Sequence, residues 1–185
     1  EIKIRKVKTD LSKYNNDWYK PGNKFIRFLW FFVNVFFLQS KLCPFNNVKV
    51  FLLRIFGAKV GSNVIIKPGV NIKYPWKLKI GNHVWIGEKV WIDNLDDIII
   101  GDNVCLSQGS MLLCGSHNYK SSTFDLLIGK IIIEDGVWIG AKSVVLQNVT
   151  CKNHSVLSVN SVASSNLDEY SIYRGNPAVR LKDRV

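Results

Sequence analysis

The sequence predicts an all-β fold, a parallel β-helix of about five triangular coils preceded by an N-terminal helical segment. The main observation is a six-residue repeat that begins at Val60 and has an apolar residue at all fifteen repeat positions. A glycine directly follows the aliphatic residue in five of these repeats, and a small or β-branched residue precedes most repeat positions by two. The regular positions of the large aliphatic residues and of the small or β-branched residues predict a narrow prism. In this prism each short strand points one large and one small side chain inward.

Three six-residue units make one triangular coil, and successive coils stack about 4.8 Å apart, the spacing of neighbouring strands. We therefore expect coils that begin near residues 60, 80, 100, 133 and 151, within a β-helix domain at residues 60–168. The repeat positions are Val60, Ile66, Ile72, Ile80, Ile86, Ile92, Ile100, Leu106, Leu112, Ile133, Ile139, Val145, Cys151, Leu157 and Ala163.

The repeat is interrupted at one corner of the predicted prism. Two extra residues follow Ile72 and again Ile92, and after Gly115-Ser116-His117 the chain leaves the prism in an excursion loop at 118–131. All three interruptions fall on the third side of their coils. They therefore predict that His117 shares a corner with the polar stretch Asp93, Asn94, Asp96 and Asp97. Loops on a rigid scaffold are frequent sites of function.

Residues 1–59 form an N-terminal extension without the repeat, and residues 25–38 and 46–56 read as helices rich in aromatic residues. We expect these helices to cover the open end of the prism or a subunit interface. The alternative is peripheral contact with a membrane through residues 20–41, which basic residues favour. The apolar run at 25–38 is shorter than the roughly 20 residues of a membrane span. Residues 169–185 form a basic C-terminal tail.

The formal net charge of +11 predicts a surface that attracts polyanions, but no recognised nucleic-acid module accompanies it. The four cysteines form no Cys-x-x-Cys pair, which argues against a zinc knuckle or a disulfide framework and favours the cytoplasm.

Four sequence features indicate a family resemblance: the aliphatic-glycine repeat and the motifs Gly115-Ser116-His117, Gly136-Val137-Trp138-Ile139-Gly140 and Gly175-Asn176-Pro177-Ala178. With them the chain resembles the hexapeptide-repeat acetyltransferases. It looks most like the colanic acid biosynthesis type, whose pattern is matched by residues 112–119, 122–126 and 53–59. The resemblance implies a left-handed β-helix and a cytoplasmic homotrimer. It also implies transfer of acetyl from acetyl-CoA to a sugar hydroxyl in exopolysaccharide, capsule or O-antigen biosynthesis.

His117 is the predicted general base. A sugar hydroxyl is a poor nucleophile, and an imidazole that removes its proton as the bond forms accelerates such a step by about 10² to 10⁴. The resemblance implies direct transfer without an acyl-enzyme. The alternative is a corner histidine without a role, which is our interpretation of His83 and His154.

The resemblance also implies the acetyl-CoA site. Trp138 matches a tryptophan that lies against the pantetheine arm, and Ala141 and Val159 match positions whose backbone contacts it; the alternative for Trp138 is ordinary interface packing. Ser164 and Ser165 match a Thr-Lys pair that contacts the CoA phosphates. Because that lysine is missing here, Arg180 or Lys182 is expected to supply the charge, unless either is a solvated tail residue.

For the acceptor site the colanic-type pattern implies Asn94, with Asp93 as a second candidate. The alternative is that residues 93–97 form a solvated turn. Asp125 is expected to orient His117 or to bind the acceptor, and it can equally cap a loop turn.

Two other functions compete with acetyl transfer. A zinc enzyme like the γ-carbonic anhydrases needs three convergent histidines. His83, His117 and His154 are separated by 34 and 37 residues, and they do not occupy equivalent positions of the six-residue repeat. We therefore expect no metal. The other candidate is a scaffold without catalytic activity that docks on a membrane, which the aromatic N-terminus favours. Such a scaffold does not explain the sequence motifs that contain His117 and Trp138.

Overall fold

The computed structural model describes residues 6–185. Helix α1 (Lys24–Val33) continues into a π-helical turn at Asn34–Gln39, and helix α2 (Asn46–Ile55) follows; short 3₁₀ turns lie at Leu11–Lys13 and Pro75–Lys77. The strands are β1 (Lys59–Val60), β2 (Ile65–Ile66), β3 (Asn71–Ile72), β4 (Leu78–Ile80), β5 (Trp85–Ile86), β6 (Trp91–Asp93), β7 (Ile98–Ile100), β8 (Cys105–Leu106), β9 (Met111–Leu113), β10 (Gly115–His117), β11 (Leu126–Ile128), β12 (Ile131–Ile133), β13 (Trp138–Ile139), β14 (Val144–Leu146), β15 (Thr150–Cys151), β16 (Val156–Leu157), β17 (Val162–Ala163), β18 (Ser171–Gly175) and β19 (Ala178–Asp183).

Three sheets form the sides of a solenoid. The first sheet runs β1-β4-β7-β12-β15, the second β2-β5-β8-β13-β16-β18-β19 and the third β3-β6-β9-β14-β17. If the hairpin strands β10 and β11 are left out, parallel neighbours from β1 to β17 are separated in the chain by two strands that lie in the other two sheets, so the chain winds once around the axis per coil. The predicted parallel β-helix is confirmed; its left-handed winding stays a prediction.

The six-residue repeat sets the pairing register. In the first sheet Val60 pairs with Ile80, Ile80 with Ile100, Ile100 with Ile133, and Ile133 with Cys151. The equivalent residues stack in the same way in the other two sheets. Most of these side chains are fully buried, and burying one isoleucine contributes about 1.5–3 kcal/mol. The repeated stacking therefore supplies most of the apolar core.

The solenoid continues past the predicted last coil and has about six turns rather than about five. Leu167 bridges Cys151 in the first sheet, and β18 pairs in parallel with β16. The buried residues of β18 are Ser171 and the aromatic Tyr173 rather than aliphatic residues, so the six-residue aliphatic pattern does not extend to this strand. Strand β19 then folds back antiparallel on β18, and most of the basic tail is therefore ordered structure. A covered edge strand is protected from pairing with other chains.

The N-terminal helices cover the open end of the first coil. Trp30 donates from Nε1 to the Ile72 carbonyl at 2.7 Å, and Lys49 donates from Nζ to the Ile66 carbonyl at 3.3 Å. No coil precedes these carbonyls, so the helices provide the hydrogen bonds that a neighbouring strand would otherwise supply. Within residues 6–185 no helix is long and apolar enough to cross a membrane.

Candidate active site

His117 lies in a two-stranded hairpin that leaves the third side of the solenoid. Strands β10 and β11 pair antiparallel, with His117 opposite Leu126. The hairpin begins at Gly115, where an added Cβ would lie 2.5 Å from Leu95 Cδ1. A larger residue at this position would require the Leu95 side chain to move, so the hairpin leaves close to the bulged corner of the previous coil.

The imidazole of His117 is held by Phe124, a residue at the tip of the same hairpin. Nδ1 lies 2.9 Å from the Phe124 carbonyl oxygen, and the two rings stack with centroids 4.4 Å apart and planes 6° apart. A carbonyl only accepts hydrogen bonds, so Nδ1 carries the proton and Nε2 keeps its lone pair. The contact therefore selects the tautomer that a general base needs.

A cavity of about 420 Å³ lies beside His117. Its walls come from three parts of the chain: the N-terminal segment, the bulged corners of the first two coils and the hairpin. The lining residues are Tyr14, Asn16, Tyr19, Pro21, Arg27, Lys73, Tyr74, Asp93, Leu95, Gly115, His117 and Leu126. The N-terminal segment was not predicted to reach this site.

Tyr19 attaches the N-terminal segment to the corner. Its hydroxyl donates to the Leu95 carbonyl at 2.7 Å, and the Lys77 ammonium lies 4.9 Å from the centre of its ring. Burial raises the pKa of Tyr19 well above its ordinary value. Tyr19 is therefore a neutral hydrogen-bond donor in this wall and not a second base.

Asp93 faces the cavity, as the sequence predicted for this corner. Its Oδ1 forms an ion pair with Lys73 Nζ at 2.9 Å, but the geometry does not qualify as a hydrogen bond and no other group donates to this oxygen. Oδ1 is buried, so the carboxylate can accept a hydrogen bond from a molecule in the cavity only through its other oxygen, Oδ2.

Asn94, the predicted acceptor-binding residue, does not line the cavity. Its side chain is fully buried, accepts from the Tyr74 amide at 2.9 Å and donates to the Tyr74 carbonyl at 2.5 Å. Both ends of the amide are thus used to join two successive coils. The alternation of side chains along the corner turns Asp93 outward and Asn94 inward, so Asn94 has no group left for an acceptor.

Asp125 does not orient His117 through its carboxylate. The hairpin uses its backbone carbonyl, which accepts from the Asn118 amide at 2.8 Å, and the contact to the imidazole comes from the preceding residue, Phe124. Asp125 is partly exposed and does not line the cavity.

The residues predicted to bind acetyl-CoA lie elsewhere on the solenoid. Trp138 is half exposed on the second sheet, and its Nε1 donates to Ser107 Oγ at 2.9 Å. Ala141 and Val159 lie at the corner between the second and third sheets, with Gly140 beneath them. A Cβ on Gly140 would lie 2.6 Å from the Val159 nitrogen, so the backbone of the two coils is in close contact there.

Two backbone amides at this corner are free. Among residues 6–185, neither the Ala141 nor the Val159 N–H donates to a protein acceptor, although the adjacent Asn160 N–H donates to the Ala141 carbonyl at 2.9 Å. Both groups lie on the surface and can donate to a ligand that runs along the corner.

Ser164, Ser165 and Arg180 occupy the last coils. The two serines are exposed directly after β17, at the corner from which the His117 hairpin leaves two coils earlier. Arg180 lies on β19; it donates from Nε to Ser171 Oγ at 2.9 Å and pairs with Asp183. Lys182 has no ion pair among the described residues, so it is the freer of the two cations proposed for the CoA phosphates.

One chain does not bring the two halves of the predicted site together. The cavity beside His117 contains none of the residues predicted to bind acetyl-CoA. His83 and His154 lie three coils apart at the edge between the first and second sheets, both with a left-handed backbone (φ 57° and 56°), whereas the hairpin of His117 leaves from the third sheet. In the described part of the chain, no three His, Cys, Asp or Glu residues form a group that could hold a metal ion.

Comparisons with known proteins agree with this geometry, although no family model matches the chain. WcaF of Escherichia coli K12, named for acetyl transfer in colanic acid biosynthesis, is 35% identical over 167 residues, which cover 90% of this chain and 92% of WcaF. The hexapeptide-repeat acetyltransferase VCA0836 of Vibrio cholerae has a TM-score of 0.79 at 25% identity, covering 88% of this chain and 92% of that one.

A galactoside acetyltransferase in complex with coenzyme A has a TM-score of 0.77, covering 86% of this chain and 81% of that one. At 22% identity this second structure shows a shared fold only. The match to WcaF, in contrast, extends over nearly the whole of both chains. The chain therefore belongs to the hexapeptide-repeat acetyltransferases, as a homologue of the colanic acid biosynthesis acetyltransferases.

Proposed function

We propose that this acetyltransferase transfers the acetyl group of acetyl-CoA to a sugar hydroxyl in exopolysaccharide, capsule or O-antigen biosynthesis, with His117 as the general base. The observation that carries the proposal is the hydrogen bond between His117 Nδ1 and the Phe124 carbonyl, which leaves Nε2 available to a hydroxyl. The hydroxyl oxygen attacks the thioester carbonyl while Nε2 takes its proton. The C–S bond then breaks, and the imidazolium protonates the CoA thiolate.

The test is the variant His117→Ala. Turnover is expected to fall by about 10² to 10⁴, because a general base acts mainly in the transition state, while the affinity for acetyl-CoA stays near that of the wild type. His83→Asn is the matched control, because His83 is an exposed corner histidine and asparagine tolerates its left-handed backbone. A correctly folded His117→Ala protein with near-normal turnover would contradict the role of His117 as the general base.

For acetyl-CoA we propose a groove past Trp138, Ala141 and Val159. The half-exposed indole offers an apolar face to the pantetheine arm, and the free amides of Ala141 and Val159 offer donors to its carbonyls. Ser164, Ser165 and the cations Arg180 and Lys182 are the proposed contacts to the CoA phosphates. Trp138→Ala is expected to raise the acetyl-CoA KM about tenfold. Trp85→Ala removes another exposed indole two coils earlier on the same sheet and should leave this KM unchanged.

We further propose a homotrimer in which each active site lies between neighbouring subunits. The supporting observation is that His117 and the acetyl-CoA groove occupy different sides of one solenoid. A threefold axis parallel to three solenoids places one side of each subunit against a different side of the next. Such a packing can bring His117 of one subunit to Trp138 of another.

The acceptor site proposed here uses Asp93, which lines the cavity beside His117. Asp125 stays a candidate for contact with a larger acceptor, because it lies on the exposed hairpin. A thiol-release assay over a panel of sugars, with detection of the O-acetyl product, identifies the acceptor.

Finally, we propose that the chain works peripherally at an anionic membrane surface on the cytoplasmic side. The outer face of α1 and the turn after it carries Phe28, Phe32 and Phe36, which are 42–63% exposed and in ring contact at 5.0 and 6.4 Å. Residues 18–87 contain 11 lysines and arginines and no aspartate or glutamate, so this end carries the whole net charge of +11. Aromatic side chains within a basic surface match the interface of an anionic bilayer.

Sedimentation with lipid vesicles tests the membrane proposal. Binding to phosphatidylglycerol vesicles is expected to decrease strongly when Phe28, Phe32 and Phe36 are changed to serine, and binding to phosphatidylcholine vesicles should be weak throughout. The double variant Val179→Ser and Leu181→Ser, which removes exposed apolar residues from β19, is the control. If the phenylalanine variant only alters the oligomeric mass and leaves vesicle binding intact, the face is a protein interface and the membrane proposal is wrong.

A further inference from the structure

Arg27 lies in the wall of the cavity beside His117 and has no charged partner among the described residues. It lies on α1, three residues before the buried Trp30. This spacing places Arg27 on the helix face that is turned toward the solenoid, which continues with the buried residues Asn34 and Leu38. Its side chain is therefore directed into the cavity rather than into solvent. Within residues 6–185 it forms no ion pair, and its buried Nε has no hydrogen-bond partner.

Such an arrangement is uncommon in folded proteins. More than about nine in ten buried polar groups have a hydrogen-bond partner, and an inward-facing guanidinium nearly always has a carboxylate nearby. Asp93 is the one carboxylate among the residues that line this cavity, but it is paired with Lys73 at 2.9 Å. Lys73 and Asp93 offset each other's charge, so Arg27 leaves the cavity with an excess positive charge next to the base.

We propose that Arg27 binds an anionic group of the acceptor, a phosphate or a carboxylate, when the acceptor hydroxyl lies at His117. This inference deepens the proposed function and rests on it, because it names the class of acceptor. A guanidinium binds either oxyanion through two parallel N–H···O bonds, and these charge-assisted bonds are stronger than neutral ones. The acceptor is then a sugar phosphate, including a nucleotide-linked or lipid-linked sugar, or a uronic acid.

The binding test does not depend on catalysis. Inorganic phosphate and acetate are added separately to the wild type and to Arg27→Gln, and the rise in unfolding temperature is measured at constant ionic strength. We expect at least one of the two anions to stabilise the wild type and to lose that effect in Arg27→Gln. Lys130→Gln removes an exposed lysine away from the cavity and should keep the wild-type response.

The kinetic test distinguishes the two sources of the anion. The same hexose is offered as the free sugar, as its 1-phosphate and as its uronic acid, with acetyl-CoA held constant. Arg27→Gln should raise the KM for one anionic acceptor at least tenfold, with the KM for the neutral sugar and for acetyl-CoA unchanged. An effect on the 1-phosphate alone identifies a phosphate, and an effect on the uronic acid alone identifies a carboxylate. Arg27→Lys keeps the charge without the paired donors and should recover only part of the loss.

Two results would overturn the inference. One is an Arg27→Gln protein whose anion response and whose KM values for every acceptor equal those of the wild type. The other is an equal loss for neutral and anionic acceptors together with a lower unfolding temperature, which indicates that Arg27 only supports the fold. If the wild type acetylates none of the sugars while Arg27-dependent anion binding persists, the proposed reaction fails and the anion site stands.

Discussion

His117 Nδ1 lies 2.9 Å from the carbonyl oxygen of Phe124, and the two aromatic rings of these residues stack at 4.4 Å. Phe124 follows His117 by seven positions in the sequence. The carbonyl determines which nitrogen carries the proton, and the stacked ring limits the tilt of the imidazole.

The first prediction concerns that ring. Phe124→Ala keeps the carbonyl but removes the stacking, which is worth about 0.5–1.5 kcal/mol, so turnover should fall by up to about tenfold. The acetyl-CoA KM should not change. Leu127→Ala, which shortens an exposed side chain of the same hairpin, should have normal turnover. Equal turnover in both variants would show that the backbone contact alone orients His117.

The second prediction separates two adjacent residues. Asp93→Asn should raise the acceptor KM about tenfold and change the free energy of unfolding by less than about 1 kcal/mol, because its carboxylate faces the cavity. Asn94→Ala should lower the free energy of unfolding by about 2 kcal/mol or more, because it leaves the Tyr74 amide and carbonyl without partners.

Denaturant unfolding and acceptor kinetics on both variants measure this contrast. If Asn94→Ala is stable and defective for the acceptor, the amide has the role that the sequence predicted.

The third prediction concerns the composite site. His117→Ala and Trp138→Ala are each expected to be weakly active at low acetyl-CoA concentration. When the two variants are co-expressed, about one quarter of the interfaces in randomly mixed trimers contain both native residues. Activity should therefore recover to about one quarter of the wild type. Co-expressed chains that remain as inactive as the separate variants, despite a trimeric mass, would locate the whole site in one subunit.

The fourth prediction is a pH dependence of stability. Burial raises the pKa of the Cys114 and Cys151 thiols from 9.0 to about 12. Between these values the unfolded chain releases the two protons and the folded chain keeps them, so stability falls as pH rises above about 9. Each thiol contributes up to about 1.4 kcal/mol per pH unit.

Urea unfolding at pH 8 to 11 and at constant protein concentration measures this effect. The double variant Cys114→Ala and Cys151→Ala should start less stable but lose stability less steeply with pH. Parallel pH curves for the two proteins would show that these thiols do not cause the alkaline loss.

The core could be predicted in detail because the repeat is local. An apolar residue every six positions has only one consistent arrangement when strands stack in register, and Val60, Ile80 and Ile100 do stack as that pattern requires. The position of His117 at the bulged corner could be predicted from the same six-residue repeat. The end of the solenoid could not be predicted from it, since Tyr173 lies outside the aliphatic pattern.

The chemistry of the corner was harder to predict. Within residues 93–97 the sequence identified a polar stretch but could not show which side chain faces outward, because extra residues break the six-residue phase there. Asn94 was favoured by resemblance, yet the structure uses its amide between two coils. The orienting partner of His117 is a backbone carbonyl, which every residue possesses and which no residue type reveals.

The sequence by itself determined the winding of the chain, the buried rows and the place of His117, because each follows from a period of six and from a few residue types. Only the tertiary structure decided what surrounds His117. The Tyr19 hydroxyl meets the Leu95 carbonyl across 76 residues of sequence, and Arg27 enters the same cavity from a helix that the repeat does not include. Contacts over such separations depend on how whole elements pack, and no local pattern in the sequence encodes them.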